Sequence, residues 1–272
     1  MVGETGAIAR TLTPRTRASL GAELRALGVR LGETLLVHSS LSALGWVIGG
    51  QVAVVQALLD AVGPAGTVVV PTQSTWNSDP SEWHAPPVPA EWWPTIRANL
   101  PAYDPATSPG RGMGQISEAV RTWPGAVRSA HPQTSFAAVG PQAAALLAVH
   151  DLDCRFGDRS PLAALAKAGA KVLLLGAGFD SCTSFHLAET RIVDAPTEQQ
   201  SCAMTTHDGG RGWVTYTDTV ADEGDFATIG EAYQATGAVT SGWVGSTWAG
   251  LFDLSPAVAF AADWIRVHRA DL

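Results

Sequence analysis

The residue types and spacing of Thr183, His186 and Glu189 could perform acid–base chemistry. These residues are three positions apart, and side chains at positions i and i+3 of a helix share one face. A carboxylate one turn from an imidazole fixes the imidazole's tautomer and stabilises its protonated form, as a general base requires. The spacing therefore predicts a proton-transfer site. It is also compatible with an accidental His–Glu pair on an exposed helix face.

The elements around this triplet predict its place in the fold. An apolar strand is predicted over residues 171–175 and a helix over residues 182–193, with a glycine-containing turn between them. Open sheets bind ligands beyond the carboxyl ends of their strands. His186 is therefore expected near such an edge of a sheet.

A polar, glycine-rich segment follows another apolar strand. This strand is predicted over residues 34–38 and leads through three serines and three glycines into a predicted helix over residues 50–62. Backbone N–H groups and the positive end of a helix dipole suit a phosphate-bearing or anionic ligand there. The segment is neither a Walker loop nor a Gly-x-Gly-x-x-Gly motif. An ordinary strand–helix connection with a serine cap fits the same pattern.

The sequence lacks the usual motifs of two other kinds of catalysis, by a metal ion and by a serine nucleophile. His186 and Glu189 are not part of a His-Glu-x-x-His pattern, so no metal site is expected. A serine hydrolase of the usual α/β type would carry Gly-x-Ser-x-Gly, which the sequence lacks. Ser39 or Ser40, directly after a strand, could still act as a nucleophile.

Several isolated polar residues have two interpretations each. His38 ends a predicted strand and His131 lies in a polar cluster, and both fit a structural or a functional role. Glu118 and Asp79 could bind ammonium groups or could be ordinary surface charges. Cys182, at a predicted helix start, could be a nucleophilic thiolate or a buried, inert thiol.

The order of predicted elements indicates one domain over residues 1–272, of the α/β class with some α+β character. A βαβ-like unit over residues 34–71 comes first, a hairpin turn is predicted at residues 208–210, and further strands lie within residues 238–252. We therefore expect a central mixed sheet flanked by helices, with antiparallel strands added late in the chain.

The ends of the chain carry simple boundary signals. Residues 1–12 are expected to be frayed. The first helix is expected to begin at Thr13-Pro14 and to end at Gly28, because proline favours a first helical position and glycine a helix end. The last helix is predicted over residues 256–269.

Residues 74–112 differ in composition from the rest of the chain. They hold eight of the 17 prolines and four of the ten tryptophans, Trp76 among them. Long irregular segments inside a compact chain are usually functional or disordered, and the aromatic content argues against disorder. The segment is therefore predicted to be an ordered lid or substrate loop inserted in the domain.

Composition excludes some classes of protein. The net charge of −8 and the pI near 5.3 argue against nonspecific nucleic-acid binding. No apolar run reaches the roughly 18 residues that a membrane helix requires, and the first ten residues lack the apolar core of a signal peptide. The three cysteines show no regular spacing, which is typical of reduced thiols. We therefore expect a cytoplasmic protein.

These motifs, in this order and spacing, resemble the aminoglycoside 3-N-acetyltransferase family. The resemblance runs over most of residues 13–254. The matching stretches are His38-Ser39-Ser40-Leu41-Ser42 through Gly49-Gly50, Val70-Pro71-Thr72-Gln73, Arg111-Gly112-Met113-Gly114 with Glu118, Arg128-Ser129-Ala130-His131-Pro132 with Ser135, Ser160-Pro161-Leu162, residues 172–176, Thr183-Ser184-Phe185-His186-Leu187-Ala188-Glu189 and Asp225-Phe226-Ala227-Thr228-Ile229-Gly230.

The resemblance implies transfer of an acetyl group from acetyl-coenzyme A to the 3-amino group of a 2-deoxystreptamine aminoglycoside, which confers antibiotic resistance. It implies His186 as general base, Glu189 as its orienting partner, and Thr183 in contact with the thioester or the cofactor. Asp79, Glu118 and Trp76 are expected to contact the cationic substrate. The residues that the resemblance assigns to coenzyme A are Ser39, Ser40, Leu41, Ser42, Gly45, Met113, Ser129, His131 and Ser135.

Other functions stay open at this level. The acceptor could be another amino sugar or a biosynthetic amine. A serine hydrolase using Ser39 or Ser40 and a noncatalytic module that binds a cationic sugar are the two alternatives of other classes. The expected partners are the two small-molecule substrates, with neither nucleic acid nor membrane, and the expected assembly is a monomer or a homodimer.

Overall fold

A computed structural model describes residues 3–269 of the chain. The strands are β1 (Thr34–Ser39), β2 (Thr67–Pro71), β3 (Val127–Arg128), β4 (Phe136–Val139), β5 (Lys171–Leu175), β6 (Thr197–Thr205), β7 (Arg211–Thr219), β8 (Thr240–Val244) and β9 (Thr247–Asp253). The α-helices are α1 (Gly3–Arg10), α2 (Arg17–Leu27), α3 (Gly50–Val62), α4 (Trp93–Asn99), α5 (Gly114–Arg121), α6 (Ala143–Leu147), α7 (Pro161–Lys167), α8 (Phe185–Glu189), α9 (Phe226–Ala235) and α10 (Leu254–His268).

Seven strands form a mixed sheet in the order β3-β4-β2-β1-β5-β9-β8. The three central strands β2, β1 and β5 are parallel, and the remaining pairs are antiparallel. Strands β6 and β7 form a separate two-stranded hairpin. The predicted α/β class, with a mixed central sheet and late antiparallel strands, is confirmed.

The two faces of the central sheet are covered by different helices. Leu35 and Val37 of β1 belong to an apolar core with α2, α3 and α5, whereas Leu36 belongs to a second core with helices α6 to α10. This alternation is the two-residue period of a strand buried on both faces. It continues to the end of β1, so His38 lies on the Leu36 face and Ser39 on the opposite face.

The amino-terminal boundaries were predicted wrongly. Residues 3–10 form helix α1 rather than a frayed end, and Ala7 is buried. The first predicted helix begins at Arg17, because Thr16 and not Thr13 caps it. The hydroxyl of Thr16 accepts a bond from the backbone N–H of Ser19, and the hydroxyl of Ser19 accepts one in return, which is a capping box.

The helix predicted over residues 182–193 is much shorter. A 3₁₀ turn, Phe179–Ser181, precedes it, and the α-helix proper comprises only Phe185–Glu189. Thr183 therefore lies in the turn before α8 rather than on its surface. The last helix also starts two residues earlier than predicted, at Leu254.

Residues 74–112 are ordered by buried hydrogen bonds, and they contain α4 and two short 3₁₀ turns. The side-chain amide of Asn77 donates to the carbonyl of Ala203 at 2.8 Å and accepts from its N–H at 2.9 Å. The phenol of Tyr103 donates to the carbonyl of Ser129 at 2.9 Å. These contacts tie the segment to the β6–β7 hairpin and to the central sheet. Its role as a substrate loop stays a prediction.

Candidate active site

Helix α8 brings His186 and Glu189 together as the spacing predicts. Nδ1 of His186 lies 2.6 Å from Oε2 of Glu189. Because the carboxylate accepts a hydrogen bond from Nδ1–H, Nε2 is left without a proton and can accept one. This is the geometry of an oriented general base.

Glu189 is itself held in place. Its side chain is 4% exposed, and its Oε1 accepts bonds from Nη1 of Arg269 at 2.6 Å and from the backbone N–H of Asp222 at 3.2 Å. Arg269 also forms a fork-like pair with Asp225 at the start of α9. A buried carboxylate with these partners is anchored in its charged form, so it can support a protonated His186.

Two aromatic rings fix the plane of the His186 imidazole. Phe156 stacks on it with a centroid separation of 4.4 Å and an interplanar angle of 18°. Phe226 packs at 4.8 Å with a tilt of 59°. The His186 side chain is only 11% exposed. The ring is therefore held on three sides, and its free nitrogen has one direction in which to meet a substrate.

His186 lines a cavity of about 270 Å³. The cavity lies at the carboxyl ends of the parallel strands β1, β2 and β5, as expected for a sheet of this kind. Thr183 also lines it. Two carboxylates that sequence reasoning did not single out, Asp180 and Glu223, line it too. The other lining residues are His38, Ser39, Pro71, Gln73, Gly112, Met113, Ser117, Ala177, Ser181 and Phe226.

A larger groove of about 640 Å³ adjoins this cavity. The two spaces share Ser39, Gly112 and Met113, so they meet at these residues. The structure brings six of the residues predicted to bind coenzyme A into the groove: Ser39, Ser40, Leu41, Ser42, Gly45 and Met113. Segments far apart in sequence thus form one wall.

Helix α3 begins at this groove. Gly50 and Gln51 line it, and the N-cap position is Gly49, whose φ of 83° lies in the left-handed region that glycine adopts readily. The N–H of Gly50 donates to the carbonyl of Val47 at 3.0 Å, and because a glycine at the N-cap has no side-chain acceptor, the next N–H groups of the helix have no side-chain cap and can meet a ligand. The groove therefore suits an anion such as a phosphate or diphosphate.

Comparison with known proteins gives the same picture over nearly the whole chain. The sequence profile of a family described as "Aminoglycoside 3-N-acetyltransferase" matches residues 36–266. A prophage-derived aminoglycoside N(3')-acetyltransferase-like protein of Bacillus subtilis (strain 168), YokD, is 46% identical over 93% of each chain. Aminoglycoside N(3)-acetyltransferase VIII of Streptomyces fradiae is 40% identical, over 95% of this chain and 94% of its own.

The chain belongs to the aminoglycoside 3-N-acetyltransferase family. Solved structures agree. The crystal structure of YokD has a TM-score of 0.96 at 44% identity, covering 98% of this chain and 99% of that one. A binary complex of AAC-IIIb with CoASH gives 0.82 at 33% identity, covering 94% and 97%. A sisomicin-bound AAC-VIa gives 0.84 at 35% identity, covering 94% and 99%.

Three residues that the family resemblance assigned to coenzyme A do not line the groove. Ser129, His131 and Ser135 are each at most 1% exposed. The hydroxyl of Ser129 pairs with Nδ1 of His150 at 2.9 Å, and that of Ser135 donates to the carbonyl of Thr72 at 3.0 Å. Their polar atoms are engaged by the protein, so this geometry does not support direct contact with the cofactor.

The ring of His131 is engaged in the same way. Its Nδ1 accepts bonds from the backbone N–H groups of Gln133 and Thr134, both at 3.1 Å, and its Nε2 donates to the carbonyl of Leu152 at 3.1 Å. Burial lowers the pKa of His131 well below its ordinary value, so the ring is neutral. It shapes the turn that it belongs to.

The predicted substrate contacts have protein partners. Asp79 forms a two-fold pair with Arg97, and hydrogen bonds from that guanidinium lower the carboxyl pKa to about 2. The indole N–H of Trp76 donates to the carbonyl of Pro109 at 3.1 Å. Neither residue lines the groove or the cavity described above.

Glu118 lies nearer the site. It lines a small pocket beside the groove, together with Gly112 and Met113. Both of its oxygens accept bonds from Arg121, and these hydrogen bonds lower its pKa. Because Arg121 already neutralises this carboxylate, Glu118 is a weaker partner for an ammonium group than Asp180 or Glu223.

Cys182 does not have the surroundings of a nucleophilic thiolate. Cys182 is 0% exposed, and burial raises the pKa of its thiol to about 12, so it is not a thiolate at neutral pH. Within residues 3–269, no group of three or more His, Cys, Asp or Glu side chains is arranged to hold a metal ion. None of the helices in that range is long and apolar enough to cross a membrane.

Proposed function

We propose that this protein transfers the acetyl group of acetyl-coenzyme A to the 3-amino group of a 2-deoxystreptamine aminoglycoside, and thereby confers resistance to such drugs. The observation that carries the proposal is the His186–Glu189 pair, which faces a cavity that opens into a groove suited to an anion. Membership of the family supports the choice of both substrates.

Acetyl-coenzyme A fits the groove by its chemistry. Its diphosphate suits the uncapped amino terminus of α3, and its pantetheine arm, which carries amides, suits the hydroxyls of Ser40 and Ser42. The thioester then lies where groove and cavity meet, at Ser39 and Met113. The CoASH complex of AAC-IIIb supports coenzyme A as the co-substrate.

The acceptor amine enters the cavity as a cation. Asp180 and Glu223 supply negative charge on the cavity wall, and the protein as a whole carries a net charge of −8. Both features favour a polycationic sugar. An ammonium nitrogen has no lone pair, so it becomes a nucleophile only when Nε2 of His186 takes its proton.

Direct transfer needs no covalent enzyme intermediate, because the cavity and the groove can hold both substrates together. A serine nucleophile would need a hydrogen-bonded base. The hydroxyl of Ser40 pairs with that of Ser42 at 3.2 Å, and the hydroxyl of Ser39 has no hydrogen-bond partner in the part of the chain that the structure describes. The geometry thus favours transfer over serine hydrolysis.

Residues 74–112 serve, in this proposal, as a substrate loop. Its last residue, Gly112, lines both the groove and the cavity. Nearer the start of the segment, Glu82 and Trp83 line a third cavity of about 320 Å³ that also borders Arg155. An aromatic face beside a carboxylate suits further rings of an amino sugar.

The decisive experiment measures thiol release from acetyl-coenzyme A with a panel of aminoglycosides, followed by NMR of the products. Release that depends on the drug, with the acetyl group on the 3-amino nitrogen, is the expected result. Release without any amine would indicate a hydrolase. Drug binding without a change in drug mass would indicate a binding module. Turnover only with other amines would redirect the proposal to another amino sugar or a biosynthetic amine.

A further inference from the structure

Two polar atoms in the cavity wall have no protein partner. Nε2 of His38 and Oγ of Ser39 are buried and make no hydrogen bond within the described residues. Buried polar side chains are nearly always hydrogen-bonded. An unpartnered group at the edge of a substrate cavity is therefore a candidate for contact with the substrate.

The fold aims His38 at the same space as His186. His38 is opposite Leu174 in the parallel β1–β5 pair, and the chain continues from β5 through a 3₁₀ turn to His186. His38 is 4% exposed and lines the 270 Å³ cavity together with His186 and Thr183. It thus borders the cavity from the strand, whereas His186 borders it from α8.

His38 is a neutral imidazole at physiological pH. Burial, and next the charge of His186, lower its pKa to about 4. The titratable groups that line the cavity around it are His186, Asp180 and Glu223. A neutral imidazole carries one N–H donor and one acceptor nitrogen, so His38 can donate a hydrogen bond without giving up a proton.

The acetyl transfer proposed above needs such a donor. When the amine attacks, the carbonyl oxygen of the thioester becomes an oxyanion, and preorganised donors at that point lower the barrier. His186 cannot serve, because its Nδ1 is bonded to Glu189 and its Nε2 accepts the proton of the amine. Nε2 of His38 has no hydrogen-bond partner among the described residues, and His38 lies in the cavity wall next to Ser39, where the groove and the cavity meet.

We propose that His38 is a second catalytic residue, which donates a ring N–H to the carbonyl oxygen of the acetyl group. This inference rests on the proposed function. Nε2 of His186 first takes one proton from the ammonium group, which frees the nitrogen lone pair. That lone pair forms the C–N bond, and the carbonyl π electrons move to the oxygen beside His38. Collapse of the oxyanion restores C=O and breaks the C–S bond. The thiolate leaves with the electron pair and takes the second proton of the same nitrogen, which gives the amide and free coenzyme A, and His186 later releases its proton to solvent.

The first test compares three substitutions. His38→Leu removes the donor, whereas His38→Asn and His38→Gln each restore an amide N–H near one of the two ring nitrogens. We expect His38→Leu to lower kcat about 10²- to 10³-fold, the range for loss of one oxyanion donor, with KM for acetyl-coenzyme A changed less than threefold. At least one amide variant should recover tenfold or more. His207→Leu, an exposed change of the same type in the hairpin turn, is the matched control.

The second test does not depend on turnover. A ketone analogue, S-acetonyl-coenzyme A, binds without reacting, and its carbonyl stretch falls in wavenumber when the oxygen accepts a hydrogen bond. The bound analogue should absorb at a lower wavenumber in the wild type than in His38→Leu. A purely structural role for His38 would leave this band unmoved, and an identical band in the two proteins would refute the inference.

The outcomes separate the two proposals. A wild-type protein without turnover on any amine would overturn both of them. Normal turnover in the wild type and in folded His38→Leu would overturn only the role of His38. A loss confined to Ser39→Ala, with an unshifted band in His38→Leu, would assign the hydrogen bond to Ser39 and also overturn the role of His38.

Discussion

Two histidine pairs in this molecule differ in how completely the protein satisfies their ring nitrogens. His131 and His150 stack at a centroid distance of 4.7 Å, with every ring nitrogen bonded to the protein. His38 and His186 border a cavity, and Nε2 of His38 has no hydrogen bond among residues 3–269. The same residue type thus holds the backbone together in one place and is left available to a ligand in the other.

Both environments bury a neutral imidazole, so burial alone does not separate them. Burial lowers the pKa of His150 and of His38 to about 4 in each case. The difference lies in the partners. Nε2 of His150 donates to the carbonyl of Arg155 at 2.8 Å, which leaves its Nδ1 to accept from Ser129. A fully hydrogen-bonded polar network rigidifies a core. A buried imidazole nitrogen without a protein partner, such as Nε2 of His38, is available to bind substrate.

The largest expected effect comes from the cavity pair. His186→Asn removes the general base, and general base catalysis contributes about 10²- to 10⁴-fold. We expect kcat to fall by about 10³-fold, with an unfolding midpoint near that of the wild type. Steady-state kinetics with purified protein checks kcat, and thermal melting checks the unfolding midpoint. A His186→Asn variant that keeps most of its kcat would show that another group takes the proton.

A smaller loss is expected when the base is kept but its support is removed. Glu189→Gln replaces the acceptor of Nδ1–H by a neutral amide and leaves Arg269 with Asp225 as its carboxylate partner. We expect kcat to fall by about 10- to 10²-fold, because the imidazolium formed in the transition state loses an opposite charge. A kcat equal to that of the wild type would remove Glu189 from the mechanism.

Much of this contrast between the two histidine pairs could not be predicted from the sequence. Apolar runs and glycines identified β1, α3 and β5, and the three-residue spacing identified His186 and Glu189. Whether a histidine is satisfied depends on atoms that are distant in sequence, such as the carbonyl of Leu152 for His131. No local pattern carries that information, and so His131 was assigned to the cofactor while His38 was left open.

The same reasoning explains other features that the sequence did not predict. Arg269 and Glu223 enter the site through folding of the carboxyl-terminal third, and their sequence neighbours give no sign of it. Thr183 was placed on a helix because the spacing fits one, but the chain turns there before α8 begins. The alternation along β1 was the usable signal. It places the side chain after Val37 on the face that carries α8.

The histidine pair inside the protein should control stability rather than turnover. His150→Asn removes two buried hydrogen bonds, so we expect it to lower the free energy of unfolding at pH 7 by about 2–3 kcal/mol. Because His150 does not line the groove or the cavity, kcat should change less than threefold. Urea unfolding and steady-state kinetics measure the two effects. A large fall in kcat without loss of stability would contradict the assignment of His150 to stability rather than to turnover.

The buried, neutral state of His150 also predicts how the free energy of unfolding changes with pH. The folded pKa of His150, about 4, is below its ordinary value of about 6.5, so between these pH values the unfolded chain binds a proton that the folded protein does not. Stability therefore falls as the pH drops from about 6.5 to 4, by about 1.4 kcal/mol per pH unit for each such histidine. The stability difference between the wild type and His150→Asn should shrink over this range, and a constant difference would exclude titration of His150.

The smallest effect distinguishes the two sets of serines once assigned to coenzyme A. Ser40→Ala removes a hydroxyl in the groove, and one neutral hydrogen bond of about 0.5–1.5 kcal/mol corresponds to a two- to twelvefold rise in KM for acetyl-coenzyme A. Ser129→Ala removes a hydroxyl that accepts from the N–H of Phe136 and pairs with His150. It should lower the unfolding midpoint and leave that KM unchanged. A rise in KM for Ser129→Ala as large as that for Ser40→Ala would mean that the buried serine does reach the cofactor, and the separation of the two regions would fail.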